Sequence, residues 1–405
     1  MNKAIYIATS EPNSGKSIVS LGLMSMLLAR TPKVGYFRPI IDDLKDDEQD
    51  NHIKTVISHF KLKIEHDDAY ACTRSDFIKK RNLGLEGEVL DKIIEKFKQL
   101  EKQFDFIVVE GTDFSGEGAA VELDSNIIIA KNLGIPAILV SSGVDKNMDE
   151  FIGNLHIAYD SFIEKEVEVL SIVANKIQEK NVQLVKDGIA KHLPENILVE
   201  IIPMINSLYN PTIREIVKEI NATLLFKSNQ LNNQVASFNV GAMQLRNYLT
   251  RLEDNCVVIT PGDRADIILG ALQANISTNY PKISGIILTG GITPEEPILK
   301  LISGLEQKIP MLVTDGATFE ITNKIGAIKS HIYADNKSRI LKSVNTFKKY
   351  FNFDKLSDKF ATVKSSGITP RMFQYSLLEK AKEQRKHIVL PEGNDIRILK
   401  AAAHL

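Results

Sequence analysis

The chain of 405 residues contains 43% hydrophobic and 25% charged residues at a formal net charge of −1, which indicates a globular protein of two or three domains. No apolar run approaches the ~20 residues of a membrane span, and the start of the chain lacks the apolar core of a signal peptide, so we expect a cytoplasmic protein without a membrane partner. The two cysteines, Cys72 and Cys256, lie outside any C-x-x-C pattern or Cys/His cluster, which argues against a disulfide framework and a zinc site.

Short apolar runs alternate with helix-forming stretches from residue 3 to about residue 205. The strand candidates are AIYIAT, KVGYF, FDFIVVE, IPAILVSS, VEVLSIVANK and NILVEIIP. In the intervening stretch EGEVLDKIIEKFKQLEKQF, the apolar residues recur every three to four positions: Leu90, Ile93, Ile94, Phe97 and Leu100. Continuous apolar strands joined by amphipathic helices predict an α/β fold with a mostly parallel sheet flanked by helices.

The pattern is interrupted by Pro203 and Pro211, and a second block of strands and helices follows. Its segments are QVASFNVGAM, NCVVITPGDRADIILGALQA, ISGIILTGG and IPMLVTDGATFE, and most pair a strand with helix-forming sequence. We therefore expect a first domain at residues 1–205 and a smaller α/β domain at residues 206–338.

Residues 339–405 carry 14 Lys and Arg against 6 Asp and Glu. We interpret residues 339–385 as a helical linker with a solvated basic face, in which one helix begins at Thr369 and Pro370. The charge would also suit an anionic ligand, but basic residues without interleaved aromatics do not indicate a nucleic-acid partner. The last stretch, residues 386–405, predicts a strand, a turn and the start of a helix, as the beginning of a third domain that the sequence truncates.

The segment TSEPNSGKS ends in Ser14, Gly15, Lys16 and Ser17, the phosphate-contacting end of a P-loop. In such loops backbone N–H groups surround the phosphates, the lysine reaches the β and γ oxygens, and the hydroxyl binds magnesium. Ser10 stands where the pattern has its first glycine, so left-handed backbone there would be strained unless the loop adopts another conformation. We expect nucleotide binding rather than catalysis. The alternative is that the residues GKS occur at a helix N-terminus that binds no nucleotide.

Three further positions extend this predicted site. Glu110 ends an apolar strand, and Asp50 closes the acidic run DDLKDDEQD, so with Ser17 they are candidate magnesium ligands. For Asp50, a solvated loop is the alternative interpretation. Asn175 and Lys176 stand at the end of the strand VEVLSIVANK, where they are candidate contacts for a nucleotide base or phosphate.

Residues 1–205 resemble the dethiobiotin synthetase and cobyrinate amidase group of P-loop proteins. The resemblance lies in the segments TSEPNSGKS, VGYFRPI, VVEGT and ANK. The resemblance implies an ATP-dependent ligase or amidase as one candidate function, with Lys16 and Ser17 on the phosphates and Glu110 on magnesium. Arg38 stands where dethiobiotin synthetases have a substrate-activating lysine. A guanidinium can hold an anion but cannot serve as that amine, which argues against ligase chemistry.

The second block resembles the DRTGG domain, through Asp263 and Arg264 in PGDRADI and through Thr289, Gly290 and Gly291 in ILTGG. At strand ends these residues are candidates for a ligand site or a subunit contact. The alternative interpretation is structural: the two glycines form a turn and Asp263 caps the next helix.

The terminal KHIVLPEGNDIRILKAAA, including Arg397, is similar to the opening of the phosphate acetyl/butyryl transferase domain. The order of the three segments resembles long-form phosphate acetyltransferases, which interconvert acetyl-CoA and phosphate with acetyl phosphate and CoA. The resemblance implies a homo-oligomer whose present residues regulate the enzyme through small-molecule effectors such as Mg-ATP. It places no catalytic residue and no essential cofactor in this chain, which by itself would be inactive. A third candidate is a non-catalytic assembly module.

Overall fold

The computed structural model describes residues 3–44, 48–112, 119–305, 309–328, 330–362, 368–383 and 389–404. The chain forms two compact units, one made of Met1–Met204 with Ile332–Leu405 and the other of Ile205–His331. In the described part of the chain, no helix is both long and apolar enough to cross a membrane. The domain limits expected from the sequence stay predictions.

Among the described residues, eight strands and seven helices form the first part of the first unit. The strands are β1 Ala4–Thr9, β2 Val34–Phe37, β3 Ile40–Ile41, β4 Cys72–Thr73, β5 Phe106–Glu110, β6 Ala137–Ser142, β7 Val169–Ile177 and β8 Leu198–Pro203. The helices are α1 Lys16–Leu28, α2 Asn51–Phe60, α3 Arg74–Asn82, α4 Glu86–Glu101, α5 Ala119–Leu133, α6 Met148–Glu164 and α7 Val182–His192.

Six of these strands form one parallel sheet in the order β2-β5-β1-β6-β7-β8. They correspond to the six runs predicted from the sequence, and every residue of β1, β2 and β6 is buried. Burial on both faces explains why these strands are apolar throughout rather than alternating. The carboxyl ends of β1 and β5 lie side by side, because Ile7 is paired with Glu110.

The second unit holds a five-stranded sheet in the order β10-β11-β12-β13-β9, with β9 antiparallel. Its strands are β9 Thr223–Leu224, β10 Ser237–Val240, β11 Cys256–Pro261, β12 Gly285–Thr289 and β13 Met311–Val313. Its helices are α8 Asn206–Tyr209, α9 Ile213–Glu219, α10 Leu245–Leu249, α11 Ala265–Ile276, α12 Glu296–Ser303 and α13 Thr318–Gly326. Along β11, Val258 joins one apolar cluster and Val257 and Ile259 join another, so the sheet has a core on each face. The α/β class predicted from the sequence is confirmed.

The carboxyl-terminal segment returns to the first unit. It forms α14 Lys337–Tyr350, α15 Phe353–Thr362, α16 Pro370–Glu383 and α17 Ile396–His404. Helix α14 packs on α1 and β8, and α16 packs on α4 and α5. As predicted, α16 begins at Pro370, where the Thr369 hydroxyl accepts a hydrogen bond from the backbone N–H of Met372 at 3.3 Å.

The strand predicted near the start of residues 386–405 is not found in its described part. Residues 386–388 lie outside the described residues, and Val389 and Leu390 adopt no regular structure, with exposures of 86% and 43%. No described strand pairs with them, and an apolar run without a hydrogen-bonding neighbour does not form a strand. The turn and the following helix α17 are formed as predicted.

Candidate phosphate-binding site

The loop between β1 and α1 is built around Gly15. This residue precedes α1 with φ of 87° and ψ of 32°, and an added Cβ would lie 2.3 Å from Nδ2 of Asn175. Among the non-glycine residues of the loop, Asn13 has a positive φ, of 60°. Ser10 does not adopt the left-handed conformation, and its N–H donates to the carbonyl of Val140 at 3.1 Å. The side chain at Ser10 therefore brings none of the strain that a glycine would be needed to avoid.

Lys16 lies inside the loop at the first residue of α1. Its side chain is 1% exposed, and Nζ donates to the carbonyl oxygen of Gly111 at 2.9 Å. The first turn of α1 contains no acidic residue, and no side chain caps the helix. The positive end of the helix dipole and the lysine ammonium therefore act together on the loop, which is the electrostatic requirement for an anion.

Asn175 and Lys176 hold the loop from the end of β7. Asn175 Nδ2 donates to the carbonyl of Ser14 at 2.8 Å, and Lys176 Nζ donates to the carbonyl of Asn13 at 2.7 Å. Lys176 itself has a φ of 57°, which costs free energy for a non-glycine residue and is typical of ligand sites. In this structure both side chains position the loop backbone, and their contact with a nucleotide stays a prediction.

Glu110, at the end of β5, is the acidic centre of the site and is 1% exposed. Its Oε2 accepts hydrogen bonds from Tyr36 Oη at 2.9 Å and from Ser20 Oγ. Its Oε1 lies 2.7 Å from Nδ1 of His52, and Ser17 Oγ lies 3.4 Å from the same nitrogen. Burial would raise the pKa of Glu110, but His52, with Lys16 and Arg38, holds that pKa well below its usual range.

Asp50 and Arg38 form a buried ion pair beside this centre. Asp50 Oδ2 accepts from Arg38 Nη1 at 2.6 Å, and Oδ1 accepts from the N–H of Ile53 at 2.9 Å, which makes Asp50 the N-cap of α2. Burial would raise the pKa of Asp50, but Arg38, His52 and the hydrogen bond from the N–H of Ile53 together lower that pKa. Arg38 Nε is buried without a hydrogen-bond partner among the described residues. The predicted roles of Arg38 as an anion contact and of Asp50 as a metal ligand stay predictions.

The magnesium set predicted from the sequence is Ser17, Asp50 and Glu110. The structure brings Ser17 Oγ and Glu110 Oε1 near the same His52 nitrogen, at 3.4 and 2.7 Å, whereas both oxygens of Asp50 already accept hydrogen bonds. Among the described residues, no group of three or more His, Cys, Asp or Glu is arranged to hold a metal ion. In this arrangement Asp50 is held by Arg38 and the N-terminus of α2, and His52 lies against both Ser17 and Glu110. The magnesium set stays a prediction.

Four residues of the site were missed by the sequence analysis: Glu11, Ser20, Tyr36 and His52. Ser20 lies three residues after Ser17, and that spacing places both on one helix face, a signal that could have identified it. Glu11 accepts from the N–H of Ser142 at 3.0 Å and pairs with Lys146. For the other residues the sequence offers no signal, because their contacts depend on how separate elements pack.

The predicted DRTGG positions lie at the carboxyl ends of β11 and β12 in the second unit. Arg264 donates to the carbonyls of Gly241 and Met243 and pairs with Asp266, so it ties the start of α11 to the loop after β10. Gly290 and Gly291 have φ of 77° and 66° and form a turn, and the Thr289 hydroxyl lies 2.8 Å from that of Thr318.

Asp263 is exposed and precedes Arg264, the N-cap of α11, which has no side-chain cap. The helix-cap interpretation of Asp263 is therefore wrong: the helix begins one residue further on. A role of these residues in binding a ligand or another subunit stays a prediction.

A parallel sheet, a GKS loop between its central strand and a helix, and a carboxylate on the neighbouring strand define a P-loop protein of the α/β class. The AAA domain family matches residues 3–212, just over half of the sequence, and the DRTGG domain family matches residues 215–328. The chain belongs to the AAA domain family.

Curated relatives match nearly the whole chain. The phosphate acetyltransferase of Nitratidesulfovibrio vulgaris is 37% identical over 407 residues, covering 99% of this chain and 58% of that protein. That of Synechocystis sp. is 36% identical over 407 residues, covering 100% of this chain and 58% of that protein. The chain thus spans 58% of the length of these relatives. Among solved structures, the MinD cell division protein of Aquifex aeolicus has a TM-score of 0.33 at 14% identity, covering 51% of this chain and 84% of that one, which is too low to support an argument.

Proposed function

We propose that the first unit binds a phosphate-bearing effector, with a nucleotide as the chemical class, at the loop of residues 10–17. The observation that carries this proposal is the buried Lys16 amine at an uncapped helix N-terminus that lacks acidic residues. A backbone held by Asn175 and Lys176 supports it, because a preformed loop loses little conformational entropy when a ligand binds.

We also propose that the protein containing residues 1–405 is a phosphate acetyltransferase, which moves an acetyl group between CoA and phosphate. The relatives at 36–37% identity support this activity. We assign none of the described residues to acyl transfer: the P-loop unit senses a ligand, and the DRTGG-type unit serves a second ligand or the assembly of a homo-oligomer. CoA and acetyl-CoA are then substrates of the protein rather than ligands of the loop.

An ATP-dependent ligase or amidase is disfavoured by Arg38. The side chain stands where a ligase would need a titratable amine, is 2% exposed, and is ion-paired with Asp50. A guanidinium stays charged at physiological pH and cannot act as a nucleophile or a general base.

The experiment follows CoA release from acetyl-CoA by the protein that contains residues 1–405, with and without phosphate, and then with ATP added. We expect release that requires phosphate and whose rate changes when ATP is present. ATP hydrolysis stimulated by a carboxylic acid substrate, without phosphate-dependent CoA release, would contradict the proposal and favour the ligase.

A further inference from the structure

A histidine side chain lies against the two groups of this chain that correspond to the magnesium-binding groups of a P-loop. The metal of such a site lies between the hydroxyl of the GK[ST] motif and an acidic residue on a neighbouring strand. Here those groups are Ser17 and Glu110, and Nδ1 of His52 lies 3.4 Å from the first and 2.7 Å from the second. The imidazole thus touches both groups that would coordinate the ion.

The two oxygens of the Glu110 carboxylate have different surroundings. Oε2 accepts hydrogen bonds from Tyr36 and Ser20, whereas Oε1 lies 2.7 Å from His52 Nδ1 and is buried without a hydrogen-bond partner among the described residues. Magnesium requires near-octahedral oxygen ligands at about 2.0–2.1 Å and is a poor partner for imidazole nitrogen. A magnesium ion could reach Glu110 only after His52 had moved away. That movement would remove the contact with His52 that stabilises the buried carboxylate.

The second carboxylate cannot replace the first. Both oxygens of Asp50 accept hydrogen bonds, from Arg38 and from the N–H of Ile53, and Asp50 caps the helix that carries His52. Turning Asp50 toward a metal would leave the buried Arg38 unpaired and α2 uncapped. Loss of a helix cap typically costs about 1 kcal/mol, and an unpaired buried charge costs more.

Resting on the proposed function, we propose that His52 replaces the divalent cation in this site and that the loop binds its phosphate ligand without magnesium. The ligand class is therefore the metal-free phosphate anion, neutralised by Lys16 and the N-terminus of α1. His52 has a fixed role: it bridges Ser17 and Glu110 and so keeps the buried carboxylate from facing the phosphates directly.

The experiment measures ATP binding to the chain by titration calorimetry, once in EDTA and once in excess magnesium chloride. For the wild type we expect dissociation constants that agree within about threefold in the two buffers. In His52→Ala, the space beside Glu110 opens to the ion, and we expect binding at least about tenfold tighter in magnesium than in EDTA.

Two further variants control for folding and for the helix. His52→Asn keeps a polar side chain and should show a smaller gain in magnesium dependence than His52→Ala. His59→Ala changes a histidine on the same helix α2 and should behave as the wild type. Wild-type binding in magnesium alone, or no magnesium dependence in His52→Ala, would overturn the inference and leave the proposed function intact. An absence of ATP binding in both buffers would overturn the proposed function itself.

Discussion

At the scale of single residues, the part of the site that could be predicted from the sequence is local. Gly15, Lys16 and Ser17 are recognised because a strand, a loop and a helix N-terminus follow one another along the chain. His52 could not be predicted to contact Ser17 and Glu110, because helix α2, strand β5 and the start of α1 meet through tertiary packing. For the same reason Asp50 looked like a free acid in the sequence, although it is a helix cap paired with Arg38.

Gly15→Ala tests the geometry of the loop. The substitution places a Cβ at a φ of 87° and 2.3 Å from Asn175 Nδ2, so the asparagine must release the loop backbone. We expect a loss of about 1–3 kcal/mol in the free energy of unfolding, measured by urea denaturation, together with weaker ATP binding.

The matched control for Gly15→Ala is Gly84→Ala. Gly84 has a φ of 72°, but nothing lies within 4 Å of its added Cβ, so this variant reports backbone strain alone. We expect it to lose about 1 kcal/mol and to bind ATP as the wild type does. Equal losses of stability and equal binding in the two variants would contradict the role given to the Gly15–Asn175 contact.

At the scale of elements, the long strands follow from their apolar sequences, whereas the short ones do not. β3, β4 and β9 contain two residues each and show no pattern that a sequence can carry. The sequence also predicts helices in residues 339–385 without revealing the surface on which they pack. Helix α14 packs against α1 at Gly22. Because Gly22 has no side chain, the buried ring of Phe347 fits there.

Gly22→Ala tests this helix contact. Alanine favours a helix over glycine by about 1 kcal/mol, but its Cβ would lie 2.2 Å from ring atoms of Phe347. Because Phe347 is fully buried, the helices must separate, and we expect a net loss of about 1–3 kcal/mol in urea denaturation. Gly153→Ala in α6, where nothing lies within 4 Å, should instead be stabilising by about 0.5–1 kcal/mol. A stabilised Gly22→Ala would show that the contact is loose.

At the scale of the whole molecule, the chain forms two α/β units, and the segment from residue 332 onward belongs to the first of them. The alternation of strands and helices was enough to predict both sheets, because each apolar strand needs a covering helix. The sequence could not predict that α14 and α16 pack on the first unit, because an amphipathic pattern does not specify the surface on which a helix packs. The phosphate site that we propose for the first unit depends on Lys16.

The most direct test is a calorimetric titration of ATP into the wild type and Lys16→Met, in magnesium buffer so that the result does not depend on the role of His52. Methionine keeps much of the length of the lysine side chain and removes its ammonium group. Circular dichroism checks that the variant is folded. The matched control is Lys54→Met, at an exposed lysine. We expect micromolar binding to the wild type and the control, and binding weaker by at least about tenfold in Lys16→Met. No binding to the wild type, or equal affinity in a folded Lys16→Met, would rule out the proposed phosphate site.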